Sequence, residues 1–267
     1  MNLCSYFIPD KALFGSYPTQ ESIYILQNEG VRYFIDLTYD NEKNIIPYKT
    51  DYKYIKYPIK DHSIPTDWKS FSIFIINICY ILNSLKDNEK IYIHCKGGHG
   101  RSGVVVACIF CYYYKLDSEI ALEKTKDCHS KRLVMKDKWR IIGSPQNMVQ
   151  KQFVKNFFEP FKYDKNIGLK IGFDINSEHP INIKENIYFN TAFEAIKYYK
   201  NNKTDWDDNK INYINSIFKI KFSNNEQLKL NLLCTYLKPL IKVSGKTYSS
   251  NILMNIREQY FFELNIY

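Results

Sequence analysis

The stretch from residue 91 to residue 106, IYIHCKGGHGRSGVVV, constrains the fold more than any other part of the chain. Its apolar start predicts a strand, the glycines after Cys95 predict a tight loop, and the apolar run that follows predicts a helix beginning near Gly103. Such a loop gathers backbone N–H groups at a helix N-terminus, where an anion is bound favourably. We therefore predict a phosphate cradle with a nucleophile at its base.

The glycines of this loop allow positive φ angles and let backbone amides approach a ligand without an intervening Cβ. We predict that the loop residues contact the substrate phosphate: Lys96, Gly97, Gly98, His99, Gly100 and Arg101.

Cys95 is the predicted nucleophile, because the loop amides, the helix dipole and Arg101 together favour its thiolate form. The planar guanidinium of Arg101 can bond two phosphoryl oxygens at once and stabilise the charge that develops on them. Ser102 is expected to donate a hydrogen bond to Cys95 and to help the sulfur leave in a second step. His94 is expected to order the loop by bonding to its backbone.

The pattern of His94-Cys95, five residues, then Arg101-Ser102 resembles the signature loop of the cysteine-based protein tyrosine phosphatase superfamily, most closely its dual-specificity branch. The resemblance covers about residues 5–160. It implies an α/β domain with a central, mostly parallel sheet flanked by helices, a phosphocysteine intermediate, and neither a metal nor another cofactor.

The general acid of this family is an Asp that follows a strand, which implies Asp61 here. Asp67 is the nearest alternative, and its place just before an apolar helical run predicts a helix cap instead. His62 is expected to be exposed rather than catalytic.

The segment from Gly143 to Phe153 resembles the family's glutamine loop. Gln146 and Gln150 are four residues apart, so we expect them on one helical face, where they would position the hydrolytic water. The alternative is that they are ordinary surface glutamines.

The rest of the first half predicts an α/β alternation. We expect a helix over 19–28, strands over 31–38 and 53–58, and buried helices over 71–82 and 103–114. The two apolar helical stretches are too short to span a bilayer.

Composition limits the functional classes. The 267 residues are enough for two domains, which we place at 1–162 and 163–267. The net charge of +9 includes no dense basic tract, which favours anionic ligands over sequence-specific nucleic-acid binding. Seven cysteines, an odd number without zinc-like spacing, and a start unlike a signal peptide predict a reduced, cytoplasmic protein. Frequent Asn, Lys, Ile and Tyr indicate an AT-rich genome, such as that of a large DNA virus.

The expected substrate is a phosphorylated protein, with tyrosine-only and dual specificity both open. Lys96 and His99 are predicted to add positive charge at the pocket rim, a feature shared with phosphoinositide phosphatases, so a phosphoinositide is the alternative substrate. The alternative for these two side chains is that both point to solvent. A second functional class is a phosphate-binding pseudophosphatase or adaptor that captures phosphorylated partners.

The second half predicts a separate α+β or mainly helical module, with a linker or strand over 163–170 and helices beginning at Phe189 and Asn224. The stretches 238–244 and 251–258 resemble the NADAR (YbiA-like) domain, a family tied to ADP-ribose and N-glycoside chemistry. The chain departs from that family at its functional positions: Glu194 stands beside the early acidic position, Lys242 replaces a later Glu, and Tyr248-Ser249 lies near the expected Trp-Gly pair. Because this chemistry needs a carboxylate at an oxocarbenium-like centre, we expect a degenerate domain that binds or packs.

Overall fold

The computed structural model describes residues 3–184, 187–243 and 248–264. The chain divides into two compact units, 1–159 and 160–267. This division falls three residues before the predicted boundary, because the strand Phe161–Tyr163 pairs with Leu240–Lys242 of the second unit.

The first unit alternates strands and helices. In chain order its elements are β1 (Cys4–Ile8), β2 (Ala12–Gly15), α1 (Gln20–Asn28), β3 (Val31–Asp36), β4 (Lys53–Lys56), α2 (Trp68–Ser84), β5 (Lys90–His94), α3 (Arg101–Tyr113), α4 (Ser118–Ser130), α5 (Asp137–Ile142) and α6 (Met148–Phe158).

Five strands form one sheet in the order β1-β2-β5-β3-β4, and only β1 runs antiparallel to its neighbour. This confirms the predicted α/β fold with a mostly parallel central sheet. Strand β5 lies in the middle, and its Ile91, Tyr92 and Ile93 are buried, as expected for a parallel strand covered on both faces. The β1 strand was not predicted, because its short apolar run shows no clear alternation.

The helix predictions hold with small shifts. Thr19 caps α1, and α2 begins at Trp68 after its cap Asp67. Helix α3 begins at Arg101, two residues before the predicted start. Both α2 and α3 are buried helices, and none of the helices in the described ranges is long and apolar enough to cross a membrane.

The second unit is helix-rich and has two small two-stranded sheets. Its elements are β6 (Phe161–Tyr163), α7 (Lys165–Ile171), β7 (Glu178–Lys184), β8 (Ile187–Thr191), α8 (Ala192–Asn202), α9 (Trp206–Ser223), α10 (Glu226–Leu233), β9 (Leu240–Lys242) and α11 (Tyr248–Glu263).

One helix prediction in this unit is wrong. Phe189 lies in β8, and α8 begins three residues later, after Thr191, whose hydroxyl accepts a hydrogen bond from the Glu194 N–H. The local reason is that the capping threonine fixes the start of the helix. The helix predicted from Asn224 begins at Glu226, after the cap Asn225.

Candidate active site

The glycine-rich loop lies at the carboxyl end of the central strand β5, between β2 and β3, where parallel sheets place their ligand sites. A small pocket opens on the loop. Its lining residues are Asp61, His62, Cys95, Gly97, His99, Gly100, Arg101, Gln146 and Gln150. The fold therefore brings together the predicted nucleophile, arginine, acid and glutamines, which come from three separate parts of the chain.

Cys95 lines this pocket although only 3% of its surface is exposed. Its Sγ donates to Ser102 Oγ at 3.6 Å, so the predicted partner of the sulfur lies beside it. Ser102 is fully buried and is not itself part of the pocket lining. All seven cysteines of the chain are free thiols.

Gly98 shows why the loop needs glycine. Its φ is +72°, and a Cβ there would lie 2.3 Å from the backbone carbon of Gly15. The loop thus packs directly on the end of β2, and no side chain fits between them. Gly98 supports the cradle from behind, whereas Gly97 and Gly100 line the pocket.

Arg101 is buried and held by several acceptors. Its Nη1 donates to the Ile59 carbonyl at 2.9 Å and to Glu42 Oε1, and its Nη2 lies 3.0 Å from Glu42 Oε2. Its Nη2 also lies 2.8 Å from Asp61 Oδ1. Burial alone would lower the pKa of Arg101, but the bond to Glu42 and the charges of Cys95, Glu42 and Asp61 raise it above its usual value. The guanidinium is therefore charged and is bonded to two carboxylates.

The two candidate acids occupy different places. Asp61 is part of the pocket lining, and its side chain is 42% exposed. Asp67 Oδ1 accepts a hydrogen bond from Ser70 N at 3.0 Å and caps α2, as predicted for the alternative residue.

The predicted glutamines line the pocket but do not share a helical face. Asn147 caps α6, which begins at Met148, so Gln146 lies in the turn before the helix and Gln150 in its first turn. The expectation of one helical face was therefore wrong, because the Asn147 cap sets the helix start after Gln146.

His94 does not bond to the loop backbone with its side chain, which corrects that prediction. Its Nε2 lies 2.7 Å from the Tyr48 hydroxyl, and its Nδ1 lies 3.7 Å from Asp36 Oδ1. Complete burial lowers its pKa to about 4, against the opposing effect of Asp36, so the ring is neutral at pH 7.

His99 lines the pocket but carries no positive charge at neutral pH. Its ring stacks on Trp139 at 4.6 Å, and its Nδ1 lies 2.8 Å from His129 Nε2. Burial and the nearby Arg132 lower the pKa of His99 to about 4 and the pKa of His129 to about 3. The prediction that His99 adds charge at the rim is therefore wrong, and Lys96 is half-buried outside the pocket lining.

Arg132 supports the loop from the side opposite the pocket. Only 2% of its surface is exposed, and its Nη2 donates to the Gly98 carbonyl at 2.7 Å and to the Phe14 carbonyl at 3.3 Å. No carboxylate of the described residues forms an ion pair with it. Its guanidinium therefore adds an unpaired positive charge behind the cradle.

Within the described ranges, no group of three or more His, Cys, Asp or Glu side chains is arranged to hold a metal ion. The pocket brings together the Cys95 sulfur, the Arg101 guanidinium and the Asp61 carboxyl group.

The second unit contains a buried polar cluster near the positions compared with NADAR proteins. Lys242 Nζ bonds to Asp174 Oδ2 at 2.8 Å, and Lys221 Nζ donates to the Asp174 carbonyl at 2.8 Å. Burial lowers the pKa of Lys221 to about 8, although Asp174 opposes this. Glu194, which the sequence placed beside the acidic position of that family, accepts a hydrogen bond from the Asn190 N–H at 2.9 Å, as an acidic residue in the first turn of a helix does. Ser249 is buried, and Ser244 lies outside the described residues.

Several residues of the site had no motif to mark them. Glu42, Tyr48 and Trp139 reach the site from loops or from the short helix α5, at long sequence distances from their partners. Arg132 follows the end of α4 at Ser130 and its cap Lys131, and its direction is set by the path of the chain beyond α4.

The sequence of the chain is similar to a phosphatase family model and to viral proteins named as tyrosine phosphatases. A family model described as "Polymorphic toxin system, DSP-PTPase phosphatase" matches residues 11–114. "Putative tyrosine phosphatase 197R" of Invertebrate iridescent virus 6 is 33% identical over 277 aligned positions, which cover 98% of this chain and 97% of the viral protein. "Putative tyrosine phosphatase 067L" of Invertebrate iridescent virus 3 is 40% identical over 163 positions, or 60% of this chain and 68% of that protein.

Among solved structures, Tk-PTP in the active form is 20% identical, with a TM-score of 0.45, and the match covers 57% of this chain and 94% of Tk-PTP. The similarity to the 197R protein extends over nearly the whole chain and so includes both units.

Proposed function

This chain belongs to the cysteine-based protein tyrosine phosphatase superfamily, and we propose that it hydrolyses phosphate monoesters of proteins, phosphotyrosine first, through a phosphocysteine intermediate on Cys95. The observation that carries the proposal is the common pocket of Cys95, Arg101 and Asp61 at the N-terminus of α3.

In the first step the Cys95 thiolate attacks phosphorus, and the bond from phosphorus to the leaving oxygen breaks. The loop amides and Arg101 hold the equatorial oxygens, where negative charge develops. The substrate phosphate takes the place of the Asp61 carboxylate beside Nη2 of Arg101, now 2.8 Å away. A protonated Asp61 then gives its proton to the leaving oxygen, an effect of about 10²–10⁴-fold in rate.

In the second step water attacks the phosphocysteine, and the Asp61 carboxylate takes the proton of that water. The S–P bond breaks, and the sulfur leaves as a thiolate that Ser102, 3.6 Å away, stabilises with its hydroxyl. We assign the orientation of this water to Gln146 and Gln150, which line the same pocket. The cycle returns the enzyme and releases inorganic phosphate, without a metal.

The alternative role as a binding-only adaptor is less well supported, because capture of a phosphate has no need of Asp61 in the pocket. The proposal ranks phosphotyrosine esters ahead of phosphoserine and phosphothreonine esters. The neutral state of His99 removes one argument for a phosphoinositide substrate.

The test is phosphate release from p-nitrophenyl phosphate and from a phosphotyrosyl peptide, with and without a chelator. We expect turnover that the chelator leaves unchanged and that Cys95→Ser abolishes. Asp61→Ala should lose turnover of the peptide while keeping its capture. Unchanged turnover in Cys95→Ser would refute the proposal, and capture without any turnover in the wild type would favour the adaptor. A parallel assay with a soluble phosphoinositide decides between the two substrate classes.

A further inference from the structure

The loop that carries Asp61 is bonded directly to the segment that carries the two glutamines. Gln146 Nε2 lies 2.6 Å from His62 Nδ1, and Asn147 Nδ2 donates to the His62 carbonyl at 3.1 Å. Gln150 Nε2 donates to the Ser63 carbonyl at 3.1 Å. Three hydrogen bonds thus join the two segments, and two of them end on His62.

The backbone of the acid loop is also anchored at its two ends, and the Asp61 carboxylate bonds to Arg101. Ile59 is buried, its N–H donates to the Leu37 carbonyl at 3.0 Å, and Pro65 is buried at the other end. Asp61 and His62, between these anchors, are exposed. Once a substrate phosphate takes the place of the Asp61 carboxylate beside Arg101, the position of Asp61 depends on the bonds that hold His62 and Ser63.

His62 also fixes the direction of the Asp61 carboxylate. Its backbone N–H donates to Asp61 Oδ1 at 3.0 Å, and its Nε2 lies 3.9 Å from Asp61 Oδ2. The φ angle of His62 is +60°, a left-handed conformation that non-glycine residues adopt at a cost. Such a conformation persists where surrounding contacts hold it, and the bonds to Gln146 and Asn147 are those contacts.

We propose that His62 is a positioning residue that fastens the acid loop to the glutamine segment and so holds Asp61 over the catalytic pocket. The inference rests on the proposed function, because it assigns His62 a part in the proton transfer by Asp61. The ring itself transfers no proton to the substrate. Loosening it lowers the fraction of molecules in which Asp61 stands ready to protonate the leaving oxygen.

This role makes a prediction about leaving groups that a purely structural role does not make. A 2,4-dinitrophenolate leaves without a proton, so hydrolysis of its phosphate ester does not need Asp61. A phenolate is strongly basic, because the pKa of its conjugate acid is about 10, like that of tyrosine, and it needs the acid. A variant with a loosened acid loop therefore slows with phenyl phosphate and keeps its rate with 2,4-dinitrophenyl phosphate.

The experiment measures kcat and KM for both esters in the full-length wild type and in His62→Asn, which keeps the tolerance for positive φ but removes the ring. The loss of one such hydrogen bond predicts a kcat/KM about threefold to tenfold lower with phenyl phosphate and little change with the dinitrophenyl ester. Asp61→Asn is the reference for complete loss of the acid. Lys60→Asn, an exposed position in the same loop, is the matched control and should leave both rates unchanged.

A second readout does not depend on activity. Amide hydrogen exchange of residues 60–64 should be about threefold faster or more in His62→Asn than in the wild type, and unchanged in Lys60→Asn. Unchanged exchange, or equal slowing of both esters, would overturn the positioning role.

The two proposals fail in different ways. If Asp61→Asn slows only phenyl phosphate while His62→Asn resembles the wild type, the His62 proposal alone is wrong. If Asp61→Asn slows neither ester or Cys95→Ser keeps its turnover, the catalytic proposal itself is wrong.

Discussion

Glu42 offers the sharpest test of the electrostatics of the site, through the substitution Glu42→Gln. The carboxylate bonds to both terminal nitrogens of the buried Arg101, and its side chain is only 11% exposed. A glutamine keeps the shape and one acceptor oxygen but loses the second acceptor and the charge. A hydrogen bond to a charged group contributes about 1.5–3 kcal/mol, so the free energy of unfolding should fall by about that amount.

The expected change is large enough for thermal unfolding. For a unit of this size each kcal/mol shifts Tm by about 2–4 °C, so Glu42→Gln should lower it by about 3–12 °C. Inorganic phosphate should raise Tm more in this variant than in the wild type. In the wild type the Glu42 carboxylate competes with the anion for Arg101 and repels it, and the glutamine removes that negative charge. Differential scanning fluorimetry with and without phosphate measures both effects.

The control is Glu123→Gln, which removes an exposed carboxylate from α4. A surface change of this kind should stay within about 0.5 kcal/mol of the wild type. If Glu42→Gln is as mild as Glu123→Gln, the Glu42 carboxylate does not stabilise Arg101, and this account of the resting site is wrong.

Three further predictions follow from the surroundings of the loop. Arg132→Met removes the guanidinium bonded to Gly98, whose charge interacts with Cys95, so the alkylation of Cys95 by iodoacetamide should slow about threefold to tenfold; an equal alkylation rate would contradict this. Gly98→Ala should lower Tm far more than Gly97→Ala, because a Cβ at Gly98 meets the Gly15 backbone at 2.3 Å, whereas at Gly97 it meets only the His99 ring, at 3.0 Å. Burial lowers the pKa of His129 to about 3 in the folded chain, whereas in the unfolded chain it is about 6.5, so between these pH values the unfolded chain binds a proton that the folded chain does not. The stability that the neutral His129 contributes is therefore complete above about pH 6.5 and is lost as the pH falls toward 3, at up to about 1.4 kcal/mol per pH unit. His129→Gln should flatten the dependence of Tm on pH in this range. An unchanged slope would exclude His129 as the cause.

The parts of the site that the sequence could predict are those fixed by local pattern. Strand β5, the glycine loop and the start of α3 are contiguous, so residue order alone places Cys95 next to the N-terminus of a helix. Asp67 was recognised as a cap for the same reason, because a cap acts on the turn beside it.

The parts that could not be predicted depend on how loops cross the sheet. Glu42 is 59 residues from Arg101, in a connection with no periodic pattern, so nothing local indicates their ion pair. Gln146 was placed on a helix because the spacing to Gln150 fits one, although Asn147 carried a cap signal that sets the helix start after it. Burial also decides charge, and a sequence does not show that His99 is enclosed by Trp139 and His129.

The histidines around the cradle determine what kind of field a phosphate meets there. His94, His99 and His129 have pKa values lowered by burial to about 4, about 4 and about 3, so all three are neutral well below pH 7. The positive charge at the loop then comes from Arg101 on the pocket side and Arg132 behind it, together with the loop amides and the N-terminus of α3. Because neither guanidinium titrates near neutrality and the three histidines stay neutral, the contribution of these groups to the attraction for phosphate should stay constant between about pH 6 and 8.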